Sequence, residues 1–338
     1  MVIFKRILVS FVFCLSITSC TSESSYEYLV RGETMGTTYS VKMVFAQIQS
    51  SVELAVYESK IESVLERVDY LMSTYREDSE VSILNNLKEN QSLSLSSQTY
   101  EVLLSSQELS KLTNGFFDIT VGPLVNLWGF GPDFRLDSVP NDENILAVKE
   151  RVNWKAISLS EGAVTKSQSV YVDLSAIAKG YAVDSVAKLL KLLKVNNFLV
   201  EVGGEISVLG LNKFGKAWIL GIEQPNTVGR KAYTTISLTE NSLATSGDYR
   251  NYFEKDGRRY SHTINPKTGY PVEHNLASVS VIADTCMESD ALATALMAMG
   301  EVEGYQFALK QGINAYFIYR EGDHFKTVYT PGFKPFLN

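Results

Sequence analysis

The sequence predicts an α+β fold with mixed, largely antiparallel sheets flanked by helices, and three observations carry that expectation. Segments of period-2 alternation and segments of 3.6-residue periodicity follow one another without the regular strand–helix–strand order that builds a parallel sheet. Beyond about residue 195 the chain turns mostly to short strands, one pair of which pivots on Asp256-Gly257 as an antiparallel hairpin would. With 338 residues, 45% of them hydrophobic, the chain is long and apolar enough to bury a large core.

Taken in order, residues 39–45 alternate as a strand. Val52, Val56, Ile61, Val64, Leu65, Val68, Leu71 and Met72 recur at helical spacing and predict a helix over 52–72. A second helix over 97–112 stops at Asn114-Gly115, residues that tolerate the left-handed conformation of a helix C-terminus. Gly122-Pro123 and Trp128-Gly-Phe-Gly-Pro132 predict a long, aromatic, Gly-rich loop. Residues 141–151 read as helix, and 170–173 as a strand feeding a helix over 178–193. Strands at 198–202, 206–209, 218–222, 233–238 and 278–283, helices over 287–299 and 302–310, and strands at 315–319 and 325–329 complete the chain.

The N-terminus divides off from this body. Lys5-Arg6 precede an apolar run from Ile7 to Ile17, which is the length of a signal-peptide core and short for a membrane span. Ile17-Thr-Ser-Cys20 resembles a bacterial lipobox, in which the cysteine becomes the lipidated first residue. Residues 1–19 are therefore expected to be a lipoprotein signal peptide, 20–30 the lipidated Cys20 with a polar tether, and 31–338 one folded domain. The expected location is a membrane-anchored lipoprotein facing the periplasm. Losing Lys5 and Arg6 moves the formal charge from −7 to −9, and an acidic body excludes nucleic acid as the expected partner. Cys14 falls in the removed segment and Cys20 carries lipid, so Cys286 has no partner and no disulfide is expected.

Four segments carry chemistry. At residues 170–184 a strand meets a helix start where Lys179 precedes Gly180, a place suited to phosphate, although Asp173 capping an ordinary turn explains it equally well. Asp290 and Thr294 stand four apart on a helical pattern and so share one face, a hard-oxygen pair suited to Mg²⁺. His262, one of three histidines, ends a strand before a turn punctuated by Pro266 and Gly269, where it could serve as a general base. His274 and His324 lack such a setting and read as structural. Met35, Tyr75, Phe116, Phe117 and Trp128 sit at loop edges where they could wall a flat ring or simply pack. Gly203-Gly204 permits close backbone approach, and residues 246–250 read as a turn or a substrate edge.

The chain resembles the ApbE family of FAD:protein FMN transferases, in particular its bacterial lipoprotein members. The likeness is carried by Thr34-Met-Gly-Thr37, Ser73-Thr-Tyr-Arg76, the run from Phe117 to Gly131, Asp173-Leu-Ser-Ala-Ile-Ala-Lys-Gly-Tyr181, Gly203-Gly-Glu205, Thr245-Ser-Gly-Asp-Tyr-Arg250, His262-Thr-Ile-Asn-Pro-Lys-Thr-Gly269 and Asp290-Ala-Leu-Ala-Thr294. The resemblance implies an ApbE-like fold and an enzyme that transfers FMN from FAD to a Thr or Ser hydroxyl of an acceptor protein, with Mg²⁺ as cofactor and AMP as product. It implies FAD bound by Met35, Tyr75, Phe116, Phe117, Asp118, Asp173, Lys179 and Ile264, Mg²⁺ by the Ala176 carbonyl, Asp290 and Thr294, and His262 as the base. Acceptors implied are subunits of sodium-pumping NADH:quinone reductase or Rnf-type complexes. One departure is Asn265, beside His262, where many relatives carry Asp. The alternatives are a Mg²⁺-dependent FAD pyrophosphatase and a non-catalytic flavin-binding lipoprotein.

Overall fold

The computed structural model describes residues 25–131, 139–225, 231–249, 251–255 and 257–338. The expected signal peptide and Cys20, together with Pro132, Arg250 and Asp256, lie outside the described residues.

In chain order the elements are β1 Tyr26–Thr34, β2 Thr37–Phe45, α1 Ser51–Met72, α2 Glu80–Asn86, β3 Ser92–Ser94, α3 Ser97–Leu112, α4 Gly122–Leu127, α5 Asp142–Lys149, β4 Ile157–Ser160 and β5 Ala163–Lys166. There follow α6 Ala178–Leu192, β6 Phe198–Val202, β7 Glu205–Leu209, β8 Trp218–Glu223, β9 Ala232–Leu238, β10 Ser242–Gly247, β11 Tyr252–Lys255, β12 Arg258–Ser261, β13 Leu276–Ala283, α7 Cys286–Gln311, β14 Asn314–Glu321 and β15 His324–Tyr329. Eight strands form one sheet in the order β1-β2-β6-β7-β10-β13-β14-β15. All pairings in it are antiparallel, so the fold is α+β as expected.

Strand alternation sorts the side chains between two cores. Val200 and Val202 of β6 face the layer of α1, α6 and α7, together with Val41, Val279, Val281 and Phe317. Leu199, Leu243, Ile282 and Ile318 face the β8–β9 ribbon, whose Trp218, Leu220, Ile222 and Ile236 cover the other side. Both faces of β13 are thus covered, and seven of its eight residues are buried. A third, smaller cluster joins Leu124, Trp128, Ile145 and Ile264 beside the β11–β12 hairpin.

Several local readings change. Residues 26–30, expected as tether, belong to β1, a charged edge strand whose alternation is masked because little of it is buried. Gly122-Pro123 opens α4 instead of a loop, because Pro is well placed in the first turn of a helix, where its missing N–H costs nothing. The 170–173 stretch joins no sheet. Its backbone is held by the Asn85 amide, which accepts from Val172 N at 2.7 Å and donates to Val172 O at 2.9 Å, and by Asp173 N donating to Ile119 O at 2.7 Å. One side chain there replaces a neighbouring strand. The two C-terminal helices are the halves of α7, broken at Gly300, whose φ of 85° only glycine adopts freely and whose Cβ would stand 2.5 Å from the His274 ring.

Helices α6 and α7 meet at their N-terminal turns, and Gly180 permits it. A Cβ at this position would lie 2.4 Å from the Cys286 carbonyl oxygen and 2.7 Å from Met287 Cα. Gly180→Ala should therefore cost about 1–3 kcal/mol as the two backbones separate. Thermal unfolding checks this, and an unchanged midpoint would refute the contact.

Candidate active site

The loops at one end of the large sheet enclose a cavity of ≈ 480 Å³. The chain from α1 brings Tyr75, the turn before α4 brings Phe116, Phe117 and Asp118, and the segment entering α6 brings Asp173, Ala176 and Lys179. Glu205 arrives from the start of β7, Ser246 and Gly247 from the end of β10, His262 and Ile264 from the loop after β12, and Asp290 and Thr294 from α7. The spacing argument for Asp290 and Thr294 holds: both lie on the cavity face of α7. Met35 does not line the cavity. It packs on the main core from the β1–β2 turn, with a positive φ of 49°, because the two-residue turn points it back at the sheet. Trp128 is buried below the site, donating from Nε1 to Gly269 O at 2.9 Å and stacking on Tyr260.

Lys179 is the electrostatic centre. Its Nζ stands 3.6 Å from Asp290 Oδ2 and 3.6 Å from Glu205 Oε1, and donates to Ser175 O at 3.2 Å. Burial works against its charge, but the carboxylates of Asp290 and Glu205 outweigh burial and hold the ammonium above the ordinary lysine range. Glu205 is pushed up to about 8, chiefly by its own burial, with Lys179 opposing. Its Oε2 is buried and has no hydrogen-bond partner, a polar atom left for a ligand to satisfy. At the α6 N-terminus Gly180 N is already taken, donating to Asp290 Oδ2 at 3.1 Å. Nor does Asp173 cap α6. Its Oδ1 accepts from Ser175 within its own turn, and the helix has no side-chain cap.

His262 is oriented by a peptide carbonyl. Asn251 O accepts from both His262 N at 3.1 Å and the ring Nδ1 at 2.9 Å. A carbonyl only accepts, so Nδ1 carries the hydrogen and Nε2 keeps the basic lone pair. Burial lowers the imidazole below its ordinary 6.5, with the Asn251 bond and the Asp248 charge opposing. Asn265 takes no part in this. Its Oδ1 accepts from Lys267 N at 2.9 Å and its carbonyl from Gly269 N at 2.8 Å, both within its own turn. An Asp would accept the same Lys267 hydrogen, so the departure leaves the base where it is. His274 donates from Nε2 to Met297 O at 2.8 Å and lies beside Glu301, and His324 is on the exposed rim of β15.

The family profile described as ApbE family matches residues 35–317. The chain belongs to the ApbE family. It is 41% identical to a FAD:protein FMN transferase of Vibrio cholerae, over 98% of each chain, and 41% identical to one of Haemophilus influenzae, over 97% of this chain and 96% of that one. Its fold matches the flavinyl transferase ApbE of Pseudomonas stutzeri in its apo form with a TM-score of 0.85 at 39% identity, covering 92% of this chain and 97% of that one.

The ApbE-family cavity fits a hard cation by its donor chemistry. A carboxylate, a hydroxyl and a main-chain turn line it together in Asp290, Thr294 and Ala176, with the unbonded Glu205 oxygen nearby. Mg²⁺ is held by one or two carboxylates with water and phosphate oxygens completing its shell, so the absence of a trio of His, Cys, Asp or Glu among the described residues is consistent with it. Sequence reasoning missed Glu205 as a site residue, although the preceding Gly203-Gly204 pair drew notice. Gly203 has φ 65°, and a Cβ there would press on Thr37 at 3.0 Å and on Lys179 Cδ at 3.3 Å. It also missed Asn251 and the clamp in which Arg320 grips Asp248 at 2.7 and 2.9 Å, contacts that only the tertiary fold creates. Asp118 lines the cavity with its carboxylate committed to Thr120 and Trp154 N, so its place is to hold the Phe116–Phe117 turn.

Proposed function

We propose that the chain is a Mg²⁺-dependent FAD:protein FMN transferase that moves FMN from FAD onto a Thr or Ser hydroxyl of an acceptor protein and releases AMP. The observation that carries this reading is that His262, with its basic Nε2 fixed by Asn251, shares one cavity with the Lys179–Asp290–Glu205 cluster. One side supplies a base for a hydroxyl and the other a charged cradle for a pyrophosphate.

In the reaction the acceptor oxygen bonds to the FMN phosphorus as the bond from that phosphorus to the bridging oxygen breaks. AMP leaves with the bridging oxygen, and the hydroxyl proton passes to His262 Nε2. Lys179 draws the pyrophosphate into line and offsets its charge, and Phe116 and Tyr75 offer aromatic surface to the rings of FAD. Mg²⁺ held by Asp290, Thr294 and the Ala176 carbonyl would supply charge neutralisation at the phosphate oxygens. By resemblance, the acceptors are subunits of sodium-pumping NADH:quinone reductase or Rnf-type complexes. Chromatography of FAD turnover tests the reading: AMP should appear in proportion to acceptor protein and stop when acceptor is omitted. Continued release of AMP and FMN without acceptor would make the chain a pyrophosphatase.

The same reading places the protein on the membrane as a periplasm-facing lipoprotein anchored through Cys20. Cys20→Ser should leave the chain unlipidated and in the soluble or uncleaved fraction, since acyl chains supply the affinity. A wild-type N-terminal peptide without acyl groups by mass spectrometry would contradict the anchor.

A further inference from the structure

The described chain begins at the end of the large sheet farthest from the cavity. At Ser25 the hydroxyl donates to Lys213 O in the loop after β7, and Tyr26 pairs with Phe45 at the end of β2. The other end of β1 turns at Met35-Gly36 into Thr37, beside Gly203 and the Lys179 side chain. Nine residues of strand separate these ends by about 30 Å. Two helices run between these ends, α1 over 22 residues and α6 over 15. α1 starts at the Ser25 end and leads to Tyr75 in the cavity, whereas α6 starts at Lys179 and finishes at the Ser25 end with Leu192.

Among the described residues, that far end carries apolar side chains left exposed. Ile48, Val52, Leu192 and Phe214 are 69, 73, 72 and 74% exposed, and Leu211 is 41% exposed. They surround the start of the chain. Gln49 N donates to the Tyr28 hydroxyl, Leu211 N to Asn197 Oδ1 after α6, and Phe214 follows the Lys213 carbonyl that receives Ser25. Only residues 21–24 separate Ser25 from Cys20, and the five residue-to-residue steps reach at most about 18 Å. An anchor at Cys20 therefore keeps the Ser25 end of the molecule within about 18 Å of the bilayer.

We propose that this end of the sheet rests on the lipid surface, with Ile48, Val52, Leu192, Leu211 and Phe214 in the headgroup region, so that the cavity opens some 30 Å away from the bilayer. A catalytic cavity held at that height would take its hydroxyl from an acceptor segment projecting well clear of the membrane. The proposal rests on Cys20 being lipidated.

The test uses the full lipidated protein in vesicles of phosphatidylethanolamine and phosphatidylglycerol, with an environment-sensitive dye on Phe214→Cys or on Val302→Cys. Val302 is 73% exposed and follows Glu301, which accepts from Leu276 N at the cavity end of the sheet. Cys286 is fully buried and will not compete for dye. Dye at 214 should shift to the blue on vesicles and be quenched severalfold more by spin-labelled lipid than dye at 302. Equal, weak quenching at both sites in a vesicle-bound, acylated protein overturns the proposal and leaves the anchor standing. An N-terminal peptide without acyl groups overturns both. A blue shift at 214 without vesicles, with a doubled mass in solution, would show a second copy covering the face and overturn it as well.

Discussion

Asp290→Ala should reduce FMN transfer by at least about 10³-fold, equivalent to roughly 4 kcal/mol of barrier. Three roles converge on this carboxylate. It stands 3.6 Å from Lys179 Nζ, accepts from Gly180 N at 3.1 Å, and with Thr294 offers hard oxygens to the cavity. Alanine removes all three and leaves a half-buried ammonium with Glu205 as its one remaining carboxylate, so some stability is lost as well. Asp290→Asn separates the roles, because its amide oxygen can still accept from Gly180 N while the charge is gone. We expect the Asn variant to unfold close to the wild-type temperature yet to transfer flavin nearly as poorly as the Ala variant. Wild-type protein in excess EDTA should fall to the same level. Transfer near wild-type rate in Asp290→Asn or in EDTA would remove both the cation and this carboxylate from the reaction.

His262→Ala should slow transfer about 10²- to 10⁴-fold, the usual worth of a general base, while FAD still binds. His274→Ala and His324→Ala should retain wild-type transfer, since neither ring lines the cavity. The pH profile adds a second readout. A base must be unprotonated to act, and burial lowers the His262 imidazole below 6.5, so the rate should stay level as pH falls through 6.5 and drop only below it. An acid limb at or above 6.5 would show that the ring is not shielded as the structure has it, and an unchanged limb in His262→Ala would assign it to another group. Loss of FAD binding along with activity would make His262 a binding residue.

The parts of this molecule legible in the sequence are those governed by short-range periodicity. The stripe from Val52 to Met72 gave α1 to within a residue, and the four-residue spacing of Asp290 and Thr294 put both on one face of α7. Motif resemblance then brought Tyr75, Phe116, Phe117, Asp118, Asp173, Ala176, Lys179 and Ile264 to one cavity, and the structure places each of them there. Met35 sits in the β1–β2 turn against the main core and is not among the residues that line the cavity. The 170–173 segment has the composition of a strand but finds its partner in the Asn85 side chain, 87 positions away. Glu205, Asn251 and the Asp248–Arg320 clamp act through contacts between distant segments, and no local pattern announces them. The turn that holds Asn265 is local, yet its independence from His262 shows only once Asn251 is seen to take the ring hydrogen.

Mass spectrometry of an acceptor protein incubated with this chain, FAD and Mg²⁺ tests the proposed function most directly. The account predicts one FMN, less one water, attached to a Thr or Ser side chain of the acceptor, with one AMP released for each flavin transferred and an initial rate of attachment at least about 10²-fold lower when His262→Ala replaces the wild type. An unmodified acceptor beside free FMN and AMP would make the chain a hydrolase, and an unmodified acceptor beside intact, bound FAD would make it a flavin carrier.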